Sequence, residues 1–213
     1  MIIFYLLKHH TVLFYIIEFN RIIDTILPIS DSAKNVLRTS FQEIEVPKKH
    51  TIVRSRKNEN YLYFIKKGMV RAYFESPDKD YTFWLGKEGD PIFSLKSYVH
   101  KETGYETIEL LENSILYEVK ISDLKQLYTS NLEIVNWGRK LAEIGLIKIE
   151  ELFISRQFKS PSERYQDLMR ENPEILQRVP LKIIASYLGS QFKPNQGKNQ
   201  IRLRESENRI ICK

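Results

Sequence analysis

The chain has 213 residues, 42% hydrophobic and 12% aromatic, which fits a folded, soluble protein able to bury a sizeable core. Its formal net charge is +6, and from Lys182 onward there are seven Lys/Arg against two Glu, so most of the basic excess lies in the last 32 residues. With Cys212 the sole cysteine, disulfides and cysteine-ligated iron–sulfur clusters within one chain are excluded, and a cytoplasmic location is expected.

In chain order, MIIFYLLKHHTVLFYII opens with an apolar stretch interrupted by Lys8, His9 and His10. The uninterrupted runs fall well short of the roughly 20 residues that span a bilayer. Residues 1–12 are therefore expected to be an extension packed on the body, with membrane association as the alternative. From about residue 13 to 42 the pattern is helical: Ile16, Ile17, Phe19, Ile22, Ile23, Ile26 and Leu27 precede Pro28, and a second helix starts at a cap on Ser30 or Asp31. From Ile44 to Val119, alternating segments such as HTIVRSR, NYLYFIKKGMVRAYFES and YETIELLENSILYEVK are punctuated by turns at Lys67-Gly68, Pro77-Asp78 and Gly89-Asp90. This spacing predicts a β-sandwich or jelly-roll barrel.

ISDLKQLYTSN predicts a short helix, and Leu132 to about Ser155 a long one with two stripes. Ile134, Trp137, Leu141 and Ile144 form the first, which is expected to pack on the barrel. Val135, Gly138, Ala142, Gly145, Ile149 and Leu152 form the second, whose small residues suit close approach of another helix. A second copy is the economical partner, although both stripes could be buried within one chain. Lys159-Ser160-Pro161 reads as a hinge, followed by a helix capped at Ser162. Val179 to Gly189 reads as the opening helix of a helix-turn-helix, with Leu181, Ile184, Ala185 and Leu188 at helical spacing.

These residues resemble those of the Crp/Fnr family of bacterial transcription regulators. NYLYFIKKGMVRAYF is similar to that family's β-hairpin, with Gly68 at its glycine, and KEGD at 87–90 to the turn before its ligand cassette. SPSERYQDLMRENPEILQRVPLKIIASYLG, Ser160 to Gly189, is similar to the branch common in Bacteroidetes. The resemblance covers about residues 13 to 189 and implies an α+β protein. It would comprise an effector domain over 13–130 built on a cyclic-nucleotide-binding-like jelly-roll with flanking helices, a dimerisation helix over 131–158, and a helix-turn-helix module over 159–213 that is incomplete or atypical after 189. Homodimers, DNA and an unknown small-molecule effector are the implied partners.

Cyclic-AMP sensing does not carry over. Family members that bind the nucleotide hold its ribose with a Gly-Glu pair and its cyclic phosphate with an Arg-Ser pair, chemistry that suits a sugar hydroxyl and an anion. Here those positions fall on Phe93-Ser94 and near Gly104-Tyr105, and no arginine occurs between Asp90 and Leu111. The pocket candidates are therefore Phe93, Ser94, Leu95, Lys96, Ser97, Gly104 and Tyr105, without a named ligand. Lys96, His100 and Lys101 could meet another anion or be surface charges. The four histidines lack the spacing of a cupin metal site, and no G-x-S-x-G, P-loop or H-E-x-x-H motif occurs, so neither an enzyme nor a metal or cofactor is expected.

The likeness stops at Ser190. The family's second helix should follow, but Pro194 and Gly197 are poor helix residues and the run from Ser190 has no apolar periodicity. A change of reading frame is the preferred explanation; a rebuilt helix in QIRLRESENRIICK, anchored by Ile201, Leu203 and Ile210, is the other. Lys182, Ser190, Lys193, Lys198, Arg202 and Arg204 are the candidate DNA contacts. A regulator with impaired sequence reading is expected, and a ligand-binding or dimerising protein without a DNA role is the alternative.

Overall fold

The computed structural model describes residues 17–189. Two helices open it, α1 (Phe19–Ile26) and α2 (Asp31–Ser40), separated at Pro28 as its missing N–H requires. Ser30 caps α2, its hydroxyl accepting the Ala33 N–H at 3.2 Å.

Eight antiparallel strands follow: β1 (Gln42–Val46), β2 (Thr51–Val53), β3 (Tyr61–Lys67), β4 (Val70–Phe74), β5 (Tyr81–Gly86), β6 (Pro91–Ile92), β7 (Thr107–Leu110) and β8 (Ser114–Lys120). They form two four-stranded sheets, ordered β1-β8-β3-β6 and β2-β7-β4-β5, the expected jelly-roll. Strand β3 reads as a continuous apolar run because both of its faces are covered. Tyr63 and Ile65 join Val46, Val70, Ile108 and Leu116 between the sheets. Leu62 and Phe64, pointing the other way, join Phe19, Ile23, Leu37, Trp137 and Tyr117 beneath the helices. The two-residue side-chain period of a strand makes one segment serve both cores. At the β3–β4 turn Gly68 has φ +130°, and a Cβ there would overlap the Ser114 side chain.

A short helix, α3 (Leu95–His100), interrupts the path from β6 to β7, and no period in the sequence announced it. After β8 come α4 (Ile121–Ser130) and α5 (Leu132–Phe158), whose 27 residues make it about 40 Å long. Ile134 and Trp137 of α5 are fully buried, and the Trp137 indole N–H donates to the Ile23 carbonyl at 3.2 Å. Three helices close the described chain: α6 (Pro161–Glu171), α7 (Pro173–Arg178) and α8 (Leu181–Tyr187). The cap of α6 is Ser160 rather than the expected Ser162. Its hydroxyl accepts the Glu163 N–H while the Glu163 carboxylate accepts the Ser160 N–H, and Pro161 takes the first helical position. Among the described residues no helix is long and apolar enough to cross a membrane. The apolar extension at 1–12 and the tail from Ser190 lie outside them.

Candidate functional site

The segment joining β6 to β7 brings two of the seven pocket candidates, Ser94 and Gly104, against each other. Ser94 is fully buried at the start of α3, and its hydroxyl has no hydrogen-bond partner among the described residues. Gly104 is buried directly against it: a Cβ there would overlap the Ser94 Oγ and lie 2.8 and 2.9 Å from the two Glu106 carboxylate oxygens. Phe93 is half-buried, its ring 5.3 Å from that of Tyr98. The others turn elsewhere. Leu95, Lys96 and Tyr105 are exposed, and Ser97 is buried but satisfied, accepting the Glu59 N–H and donating to the Glu102 carbonyl. Lys101, whose left-handed backbone closes α3, lines a surface groove of about 660 Å³ with Lys120 and Lys125.

Glu106, which the sequence reading passed over, decides the chemistry of this cradle. It is 7% exposed, accepts only the Tyr105 N–H at 3.0 Å, and has no cationic partner among the described residues. A cyclic phosphate placed here would meet a buried carboxylate where it needs a guanidinium, and repulsion at short range in a poorly solvated site is severe. The residues present do not fit a cyclic nucleotide. The signal was available in YETIEL: an acid one residue before a strand that is otherwise buried.

Along α5 the six residues of the second stripe part company. Gly138 faces α4, where an added Cβ would lie 2.6 Å from the Tyr128 ring, so its small size is used within the chain. Val135 and Leu152 are half-buried, and Leu152 lines the cleft described below. Ala142 and Ile149 are exposed, and nothing lies within 4 Å of a Cβ built on Gly145. Leu146 and Phe153, outside the expected stripe, are 68% and 65% exposed. Ala142, Leu146, Ile149 and Phe153 recur at helical spacing and form one apolar line turned away from the barrel.

The C-terminal helices are not a loosely tethered unit. Leu168, Ile175, Val179, Ile184 and Leu188 share one apolar cluster with Met69, Leu85 and Leu111 of the barrel. Beside it the Arg178 side chain, 3% exposed, meets both oxygens of Glu88 at 2.7 and 3.0 Å and also pairs with Glu112. Burial works against its charge, but the bonds to Glu88 and Glu112 outweigh it and hold the guanidinium protonated. Ser186 of α8 accepts the Thr82 N–H and donates to the Asp80 carbonyl, tying α8 to β5. Of the DNA candidates, Lys182 is exposed on α8; Ser190, Lys193, Lys198, Arg202 and Arg204 lie outside the described residues.

A jelly-roll with helices before it and a long helix after it resembles in fold the cyclic-nucleotide-binding domains, and α5 is similar in position to the long helix of Crp-like structures. Residues 43–131 match the family model described as the cyclic nucleotide-binding domain. Among solved structures the chain is similar to FixK2 from Bradyrhizobium japonicum, with 17% identity and a TM-score of 0.62 over 71% of this chain and 78% of that one. A putative Crp/Fnr-family transcriptional regulator from Eubacterium rectale gives 18% identity and 0.62, over 78% and 82%. The c-di-GMP-responsive global regulator CLP from Xanthomonas campestris gives 16% and 0.59, over 76% and 86%. At these identities the likeness is one of fold. No curated protein matches the chain.

Proposed function

We propose that this chain is a cytoplasmic transcription regulator of the Crp/Fnr type, a homodimer that contacts DNA through its C-terminal module and whose barrel answers to an effector other than a cyclic nucleotide, or to none. The observation that carries this reading is the continuation of the barrel and α5 into three short helices, the last of which, α8, is followed after its cap by Gly189 with φ +70°, as the first helix of a helix-turn-helix would be. The likeness in fold to FixK2 from B. japonicum and to the putative regulator from E. rectale, over 71% and 78% of this chain, supports the reading. Dimerisation is assigned to the apolar line Ala142, Leu146, Ile149 and Phe153, with Gly145 allowing close approach.

Sequence reading is impaired in this proposal. The tail after Gly189 carries phosphate-seeking charges but lacks the apolar face that would dock a second helix. One observation favours a role without DNA: α8 and α7 are fastened to the barrel by Ser186 and Arg178, which leaves the module little freedom to adjust to a duplex. Titrating salt against duplex binding separates the two. A DNA contact through several phosphates gives a steep loss of affinity between about 50 and 200 mM salt, whereas a protein without a DNA role shows no binding at either end.

A further inference from the structure

The junction of α5, α6 and α8 holds two arginines near one another, without a counter-ion among the described residues. Arg164 Nη2 and Arg156 Nη1 lie 3.3 and 3.7 Å from the same point, where a Cβ on Gly189 would sit, so the two nitrogens are separated by no more than the sum of those distances. Neither guanidinium pairs with a carboxylate among the described residues. Arg156 donates to the Thr82 carbonyl at 3.3 Å and stacks over Tyr187, 5.4 Å from its centroid. Arg164 donates to the Lys159 and Leu188 carbonyls, and its buried Nε–H has no acceptor among the described residues.

Both side chains line a cleft of about 610 Å³ between the barrel, α5 and the C-terminal helices. Four carboxylates also line it, but three are already engaged: Asp90 by Lys148 at 2.9 Å, Asp167 by Lys159 at 2.7 Å, and Glu171 by Arg170 at 2.9 Å. Glu151 remains, an exposed carboxylate on the rim of the same cleft without an ion pair among the described residues. Two arginines against that one carboxylate leave positive charge in excess among the described residues of the cleft. Burial first, and the like charge of Arg164 in addition, lower the Arg156 pKa from its ordinary value. Burial lowers that of Arg164 as well. Trp84, Leu152 and Ile154 supply an apolar wall alongside.

Like charges held close in a partly desolvated site are unfavourable unless an anion joins them, and planar guanidiniums match the oxygens of a phosphate. We infer that this cleft is a binding site for a phosphate monoester, with Arg156 and Arg164 on the phosphate and the Trp84 side of the cleft against the organic group. The site is separate from the Ser94–Glu106 cradle and does not depend on any DNA role.

Two probes, inorganic phosphate and phenyl phosphate, titrated calorimetrically into the full chain in chloride of matched ionic strength, test this. Saturable binding of both is expected, tighter for phenyl phosphate if the apolar wall takes part. Arg156→Gln should weaken each by about tenfold or more, the loss of a charge-assisted contact, and should leave the melting temperature in chloride unchanged or raised, because it relieves the repulsion. Arg164→Gln is the poorer variant, since Arg164 also holds the end of α8. Absence of saturable heat with both probes, or equal binding by wild type and Arg156→Gln, would overturn the site. Binding of inorganic phosphate alone would retain the anion site and refute the organic subsite.

Discussion

Glu106 and Arg178 are two buried charges with opposite consequences. Glu106 lies beside Gly104, near the position to which the resemblance assigns a ligand phosphate, and has no cationic partner among the described residues, so cyclic AMP should give no heat in calorimetry at ligand concentrations up to the millimolar range; micromolar binding that depends on the phosphate would mean that the cradle opens and Glu106 moves away. Arg178 is compensated on both sides, by Glu88 and Glu112. Removing one member of such a buried set leaves the others uncompensated, and Arg178→Met is expected to destabilise the fold by about 3–5 kcal/mol in urea denaturation. A loss below about 1 kcal/mol would show that the barrel and the C-terminal helices are not locked through this group.

At the scale of the helix, α5 was legible in outline and misread in detail. Its length, its cap and the buried pair Ile134 and Trp137 followed from the period, but a period alone cannot say which of two adjacent stripes meets a neighbouring helix. Gly138 belongs to the α4 contact through Tyr128, and Leu146 and Phe153 stand out of the barrel in its place. The difference is measurable. Gly138→Ala should destabilise by about 1–3 kcal/mol despite the better helix propensity of alanine, because the methyl group must displace the Tyr128 ring. Gly145→Ala, with open space at its Cβ within one chain, should stabilise the single chain by up to about 1 kcal/mol when both glycine variants are made in a monomeric Leu146→Glu background. Equal effects in thermal melts would contradict the packing. Leu146→Glu should convert a dimer to monomers in sedimentation without unfolding them; a dimer that survives it uses another face.

For the whole molecule, the jelly-roll was readable because its strands alternate and its turns carry Gly and Asp, while the attachment of the last three helices was not. Met69, Leu85 and Leu111 look like ordinary barrel residues, and only the fold shows that they face Leu168, Ile175 and Ile184. The same holds for Arg178, a lone basic residue in the sequence whose partners lie 66 and 90 positions away. Of the pocket candidates, Ser94 and Gly104 lie against each other as neighbours in the fold, and their third neighbour, Glu106, was not legible because an acidic residue beside a strand reads as solvated. What the C-terminal end does with DNA is the central question, and selection of bound duplexes from a random pool by the full chain answers it most directly. The proposed function predicts weak, salt-sensitive retention with no enriched motif, well below the roughly 10³-fold preference of specific regulators. Recovery of a two-fold-symmetric site would contradict it, and would mean that the residues after Gly189 form a working reading helix despite Pro194 and Gly197.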